Sequence, residues 1–371
     1  MKSDKKLNLI QLAEEAWLKN NVEESSLILE SRFTDNKAII SQENLDLNKL
    51  EKGISATPLY FNGNDINSYL VKFSQAISIF NLGLPISIKG TFFSREFSHL
   101  KYPERYLHLY SPESTKAITA VKNDSYFIEN TYITLIRKPY YHWLLDTIPH
   151  LLGAGQLNNI ESLKLISSEI PNLKPWQKQL LELSTSIFKI QNLSWINLNG
   201  NIIKSQPGFS QTRMLLKHRL LILRSLKSKT EYKKPWRYIY AKRSQNDIRK
   251  LINEKHLLSK LDKRFEIIEP HKLDITSQIN LFSEAKCVVG VCGSNLTNIV
   301  FCEPETTVVE IAAGFPQDHF KKISNAIGLN FIRILGTPLK SEVKKINKWK
   351  EAHSDLYIKI ENTLKIINNH L

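Results

Sequence analysis

Val288-Val-Gly-Val-Cys-Gly-Ser-Asn-Leu-Thr-Asn-Ile-Val-Phe301 runs from an apolar strand through a turn of small residues into a helical pattern. A strand without polar alternation is buried on both faces, as in a parallel sheet covered by helices. Four further strand-like runs flank it: Arg237-Tyr-Ile-Tyr-Ala241, Phe265-Glu-Ile-Ile268, Thr307-Val-Val-Glu-Ile-Ala312 and Phe331-Ile-Arg-Ile-Leu335. Helical patterns lie between them, carried by Ile248, Leu251, Ile252, Leu257, Leu258 and Leu261, by Ile279, Leu281, Phe282 and Ala285, and over 317–327. Strand and helix alternating over short links predict an α/β unit built on a parallel sheet.

The first half is less regular. Residues 1–60 read as helical and then coil-like, an extension without a motif. Tyr126-Phe-Ile128, Tyr132-Ile-Thr-Leu-Ile136 and Leu163-Lys-Leu-Ile166 read as strands, and a helix starts near Tyr141. Pro175 opens another helix at the first position, where proline is favoured. A basic amphipathic helix over 213–228 leads into Lys227-Ser-Lys-Thr-Glu-Tyr-Lys-Lys-Pro235, a charged linker. The expected division is an N-terminal domain over 1–229, a C-terminal Rossmann-like domain over 236–340, and a helical segment over 341–371. In that last segment Leu356, Ile360, Leu364 and Ile367 recur at helix period, and it is expected to pack back on the N-terminal domain.

The 371 residues suffice for two domains with sizeable cores. An apolar content of 42% with 23% charged residues excludes a disordered or fibrous chain. No run approaches the roughly 18 apolar residues of a membrane span. The opening Met1-Lys-Ser-Asp-Lys-Lys6 lacks a signal peptide's apolar region, so a cytoplasmic location is expected. Cys287, Cys292 and Cys302 form no C-x-x-C pair and have no histidine at zinc spacing, which reads as buried thiols and no metal site. The net charge of +15 suits nucleic acid, an anionic membrane or phosphorylated small molecules, and also serves solubility alone. No nucleic-acid-binding signature accompanies it.

Four constellations carry chemistry. In Tyr140-Tyr-His-Trp-Leu-Leu-Asp-Thr-Ile-Pro149, His142 and Asp146 share one helix face, opposite Leu144, Leu145 and Ile148. The pair is either a structural contact or a proton-transfer site, and Pro149 should kink or end the helix. Lys242, Arg243, Arg249 and Lys250 crowd a strand-to-helix junction with Asp247 as N-cap, where cations are misplaced unless an anion binds. The turn after Val291 points backbone N–H groups at the same edge, a place for a diphosphate. Glu310, near the end of its strand, either accepts from ribose hydroxyls or pairs with a basic side chain. Gly153-Ala-Gly155 lacks the third glycine of a dinucleotide fingerprint, which argues against a dinucleotide enzyme.

In this order the segments resemble glycosyltransferase family 61 over about residues 126–337. The family's aromatic-His-Trp-x-x-Asp helix is Tyr141-His142-Trp143 with Asp146. Its Arg-x5-Arg-x3-Asn-Glu segment is Arg243, Arg249, Asn253 and Glu254, and its Gln-containing helix holds Gln278. Its His-Gly-Ala-Gly-Leu-x-Asn loop is Cys292, Gly293, Ser294, Asn295, Leu296 and Asn298, so the histidine is replaced by cysteine and the second glycine by asparagine; its Val-Glu-Leu strand holds Glu310. The resemblance implies a GT-B-like α/β fold, two Rossmann-type domains facing across a cleft. It implies sugar transfer from a nucleotide-sugar donor, inverting and without metal or cofactor, to a saccharide or lipid-linked acceptor. Surface polysaccharide assembly at the inner membrane face, with peripheral contact to anionic lipid, would be the setting. Asp146, working with His142, would be the general base, and Arg243, Arg249, Gly293, Ser294, Asn295, Leu296, Asn298 and Glu310 would hold the donor. The altered loop leaves open a non-catalytic, nucleotide-binding relative. No Asp-x-Asp occurs in the sequence, in keeping with metal independence.

Overall fold

A computed structural model describes residues 39–40, 52–78, 85–87, 92–93, 126–133, 139–160, 163–167, 173–191, 194–197, 203–211, 214–227, 234–244, 248–314, 318–339 and 353–371. The chain forms two compact units, Met1–Lys138, His150–Leu173 and Phe188–Met214 making the first, and Pro139–Pro149, Lys174–Ile187 and Leu215–Leu371 the second. The division therefore does not fall at the charged linker, because three segments ahead of it, Pro139–Pro149, Lys174–Ile187 and the stretch from Leu215, belong to the second unit.

In the first unit, β1 (Ile39–Ile40) pairs with β6 (Phe92–Phe93). A four-stranded sheet has the order β5 (Pro85–Ser87), β4 (Ala76–Ser78), β11 (Ile203–Ser205), β7 (Tyr126–Ile128). The largest sheet runs β10 (Ser194–Asn197), β9 (Lys164–Ser167), β8 (Thr131–Ile133), β12 (Gly208–Gln211), β3 (Asn64–Phe73), β2 (Ile54–Phe61). Its first four strands are parallel, and β3 and β2 join antiparallel, so this is a mixed sheet and not the Rossmann sheet expected. The cause is Asn62-Gly63, with φ of 49° and 78°, the left-handed pair that closes a two-residue hairpin. Ile54–Phe61 is thus a strand, against the helix-and-coil expectation for 1–60, of which 1–38 and 41–51 lie outside the described residues.

The second unit holds the α/β sheet read from the sequence. Its order is β14 (Phe265–Ile268), β13 (Arg237–Ala241), β15 (Ala285–Val291), β16 (Thr307–Ala313), β17 (Asn330–Pro338), β18 (Leu356–Tyr357). The first five strands are parallel and β18 is antiparallel. Counted from β13 the parallel order is 2-1-3-4-5, which puts the topological switch point between β13 and β15, where such sheets bind ligands beyond the carboxyl ends of their strands. Its helices are α1 (140–149), α2 (Pro175–Ile187), α3 (Leu216–Arg224), α4 (Glu254–Lys260), α5 (Ile275–Ser283), α6 (His319–Ile327) and α7 (Ile360–Asn368), with a 3₁₀ helix over Ser294–Phe301 after β15. None among the described residues is long and apolar enough to cross a membrane.

The helix expected from Ile248 begins only at Glu254. Arg249 takes a left-handed φ of 65°, and the backbone of 250–252 pairs with Leu356 at 2.9 Å in both directions. Asp247, the expected N-cap, lies outside the described residues. The C-terminal segment also departs from expectation. Leu356, Ile358, Ile360, Leu364 and Ile367 are buried in one cluster with Tyr240, Val289, Ile311 and Ile334, so they cover the sheet of their own unit. Alternate residues of β13, β15, β16 and β17 line that face, and a helix at the matching period is the nearest apolar cover. Ile367→Ala, at a fully buried position, is expected to cost about 2–5 kcal/mol in denaturant unfolding.

Candidate active site

Asp146 is held at both carboxylate oxygens. Its Oδ2 lies 2.7 Å from His142 Nδ1 and its Oδ1 2.8 Å from Arg219 Nη1. Asp146 and Arg219 are buried at 8% side-chain exposure each, whereas His142 keeps 31%. Among the described residues no group hydrogen-bonds His142 Nε2.

Pro149 explains how Arg219 came to be there. In an α-helix the nitrogen of residue 149 would donate to the Leu145 carbonyl, but proline has no hydrogen to give. The helix adjusts with a π turn over Trp143–Thr147, and Arg219 Nη1 donates to the Leu145 oxygen at 3.1 Å. One guanidinium nitrogen thus satisfies a broken helix and fixes the carboxylate beside it. The helix continues through Pro149 instead of stopping, an accommodation typical of π-bulges at functional sites. Arg219 lies 73 residues from Asp146 in sequence, and no local signal marks it.

A second buried chain anchors the start of α1. Tyr140 Oη donates to Asn298 Oδ1 at 2.6 Å, Asn298 Nδ2 to Gln278 Oε1 at 2.8 Å, and Gln278 Nε2 to the Leu273 carbonyl at 2.9 Å. Asn298 is fully buried, and burial pushes the Tyr140 phenol well above its ordinary pKa. Asn298 was expected to contact the donor; both ends of its amide are instead spent on protein. Leu296 is likewise buried, packed where Gly290 has no side chain.

At the switch point, Arg243 Nη1 donates to the Cys292 carbonyl at 3.0 Å and Arg249 Nη1 contacts Cys292 Sγ at 3.8 Å. Asn295 Nδ2 donates to the Lys242 carbonyl at 2.7 Å, tying the two loops together. Gly293 is extended, with φ of 167°, so glycine is not needed there for its backbone. It is needed for space, since a Cβ would stand 1.2 Å from Arg243 Nη1. Glu310 is fully buried opposite Arg333 in the sheet register, and Arg333 Nε bonds its Oε2 at 2.6 Å. Pairing with a basic side chain is therefore the arrangement observed. Burial, and then the neighbouring Glu310 carboxylate, push the Cys292 thiol up to about 12, so it stays protonated at neutral pH.

These segments match, as one stretch over residues 140–309, the family model described as Glycosyltransferase 61. The chain carries a glycosyltransferase 61 domain. No curated protein matches the chain. The glycosyltransferase match starts at Tyr140, where α1 enters the second unit, and includes Arg219, Arg243, Arg249 and Asn298; Glu310 and Arg333 lie beyond it. Two residues of the sequence pattern turn out to be structural. Asn253 Nδ2 donates to the Ile358 carbonyl at 2.8 Å, and Glu254 accepts from Tyr240 Oη at 2.9 Å. Arg243, Arg249, Ser294 and Asn295 keep part of their surface, as does His142.

Gly293→Ala should leave the melting temperature within a few degrees of wild type, because the displaced atoms are the end of a flexible side chain. It should weaken nucleoside diphosphate binding as much as Arg243→Ala does, measured by calorimetry. An alanine variant that binds normally would show that the Arg243 position does not matter.

Proposed function

We propose that the second unit binds a nucleotide-sugar at the β13–β15 switch point and that His142 is the general base of an inverting, metal-independent transfer. The observation that carries this is the clamped Asp146. A carboxylate with one oxygen on Arg219 and the other on His142 Nδ1 orients the imidazole and stabilises it once protonated, the service an aspartate gives histidine in catalytic triads. The partly exposed imidazole is the member able to meet a substrate hydroxyl. Its roles with Asp146 are thus the reverse of the sequence expectation.

In this reading the acceptor hydroxyl gives its proton to His142 Nε2 as its oxygen attacks the anomeric carbon. The bond from that carbon to the diphosphate breaks on the opposite face, and the departing charge is met by Arg243 and Arg249, a stabilisation worth most where water is excluded. Arg249 holds its place with a left-handed backbone, the kind of local strain that collects at functional sites. The absence of Asp-x-Asp supports metal independence, and the 2-1-3-4-5 sheet supports a GT-B-type donor domain. A saccharide or lipid-linked acceptor in capsule, lipopolysaccharide or exopolysaccharide assembly, with contact to an anionic membrane face, is proposed from the family resemblance and the net charge of +15.

One observation favours a second reading. Cys292 replaces the family's loop histidine, and a protonated thiol cannot offer phosphate the positive charge of an imidazolium. A relative that binds nucleotide without transferring sugar would show this. His142→Asn should lower turnover about 10²–10⁴-fold with donor affinity and melting temperature little changed. Asp146→Asn should lose both turnover and stability, because Arg219 would be left buried without its charge partner. Full turnover in His142→Asn, with loss confined to Asp146→Asn at wild-type stability, would return the base role to Asp146. Saturating chelator should leave nucleotide binding unchanged; a strict need for magnesium or manganese would overturn the metal-free reading.

A further inference from the structure

At the carboxyl edge of the second unit's sheet, three extended segments lie side by side. Thr337 and Pro338 of β17 pair antiparallel with Tyr357 and Leu356 of β18, and Leu251 bridges Leu356 from the other side. Ile252 N–H donates to the Leu356 carbonyl and Leu356 N–H to the Lys250 carbonyl at 2.9 Å each, and Leu339 N–H donates to the Asp355 carbonyl at 2.8 Å. Side chains of extended segments alternate between faces. Leu251, Ile334, Leu356 and Ile358 take the face that joins the core. The opposite face carries Ile252, Leu335, Leu339 and Tyr357, all exposed, Leu335 most at 63%. Apolar residues exposed singly are ordinary, but four from three hydrogen-bonded segments make a patch.

Its surroundings are basic. The chain passes from Arg249, in contact with Cys292 at the switch point, through exposed Lys250 into Leu251 and Ile252. It leaves the patch at Leu339 and comes back to it at Asp355, and residues 340–352 between them contain five lysines and two glutamates, with Val343, Ile346 and Trp349. Asp355 is the opposing charge beside Tyr357, and its Oδ1 accepts from the Lys250 N–H at 2.7 Å. Apolar and basic residues in one place are what an anionic lipid surface recognises. A two-fold pairing of copies through the patch would instead set the same lysines against one another.

We propose that this patch docks on an anionic bilayer, with Ile252, Leu335, Leu339 and Tyr357 entering the interface. Tyrosine suits that position, since its ring is apolar and its hydroxyl stays wet. The patch gives the membrane contact proposed above a location, and it does not depend on His142 being the base. A lipid-linked acceptor in that bilayer is then presented at the sheet edge that carries Arg243 and Arg249.

The test is co-flotation of the full chain with vesicles of phosphatidylcholine alone or with one third phosphatidylglycerol, alongside sedimentation velocity without lipid. The variants are Leu335→Ser, Tyr357→Ser and Trp236→Ser, the last at an exposed position just before β13, on the opposite edge of the sheet. Wild type is expected to float with the anionic vesicles, less so as salt is added. Partitioning should fall about 5–10-fold in Leu335→Ser and Tyr357→Ser, and stay unchanged in Trp236→Ser, with all melting temperatures close to wild type. No flotation with anionic vesicles, or equal loss in all three variants, overturns the proposal. So does a wild-type dimer that Leu335→Ser dissolves, which would give the patch to a second copy. Transfer to a water-soluble acceptor without vesicles should be the same in Leu335→Ser as in wild type; a loss there equal to the loss of flotation would place Leu335 in the sugar site and overturn the docking. Wild type that transfers sugar but does not float loses the membrane seat and keeps the transferase reading.

Discussion

The second unit depends on one buried amide. Asn298 has no surface, and an unpaired amide there would forfeit the hydrogen bonds it makes in water. It therefore demands a donor and an acceptor, and it finds them in Tyr140 and Gln278. The consequence is topological. Tyr140 precedes the sheet by about a hundred residues, yet it is bound into the layer of helices beside β15 and carries α1, with the His142–Asp146 pair, into the same unit as the switch point. The glycosyltransferase 61 match also begins at Tyr140.

The second organising feature is a conflict resolved in place. Pro149 deprives the Leu145 carbonyl of its helical donor, and the helix answers with a π turn. The guanidinium that repairs the defect also grips Asp146. One contact thus repairs the local disruption and fixes the carboxylate, a broken local rule compensated nearby. The outcome is a graded trio: Arg219 buried, Asp146 buried, His142 partly in solvent.

At the switch point the cations are arranged in two layers. Arg333 is used internally, neutralising Glu310 across the register of β16 and β17. Arg243 and Arg249 converge on Cys292, and Gly293 keeps the space that the first of them occupies. The thiol in the middle is a hydrogen-bonding filler, held protonated by burial and by the carboxylate beneath it. The positive charge at this edge of the sheet thus comes from the arginines.

The sequence by itself determined the parallel sheet of the second unit, because strands buried on both faces must be apolar throughout, and it marked β13 to β17 in order. It also determined the His142–Asp146 pair, which helix period places on one face, and the cationic loops that flank the switch point. Only the tertiary structure decided the rest. The Asn62-Gly63 hairpin was written in the chain, but what it pairs with was not, and it makes the first sheet mixed. The apolar period of 356–367 says that a helix face must be covered, without saying by which sheet. Helix period for Ile248 to Ile252 lost to backbone pairing with Leu356, more than a hundred residues away. Arg219 and Arg333 have no local pattern, because a salt bridge is set by where strands and helices end in space. Which motif residues touch a ligand and which hold the frame, as Asn253, Glu254, Gln278 and Asn298 do, depends on burial, and burial belongs to the fold.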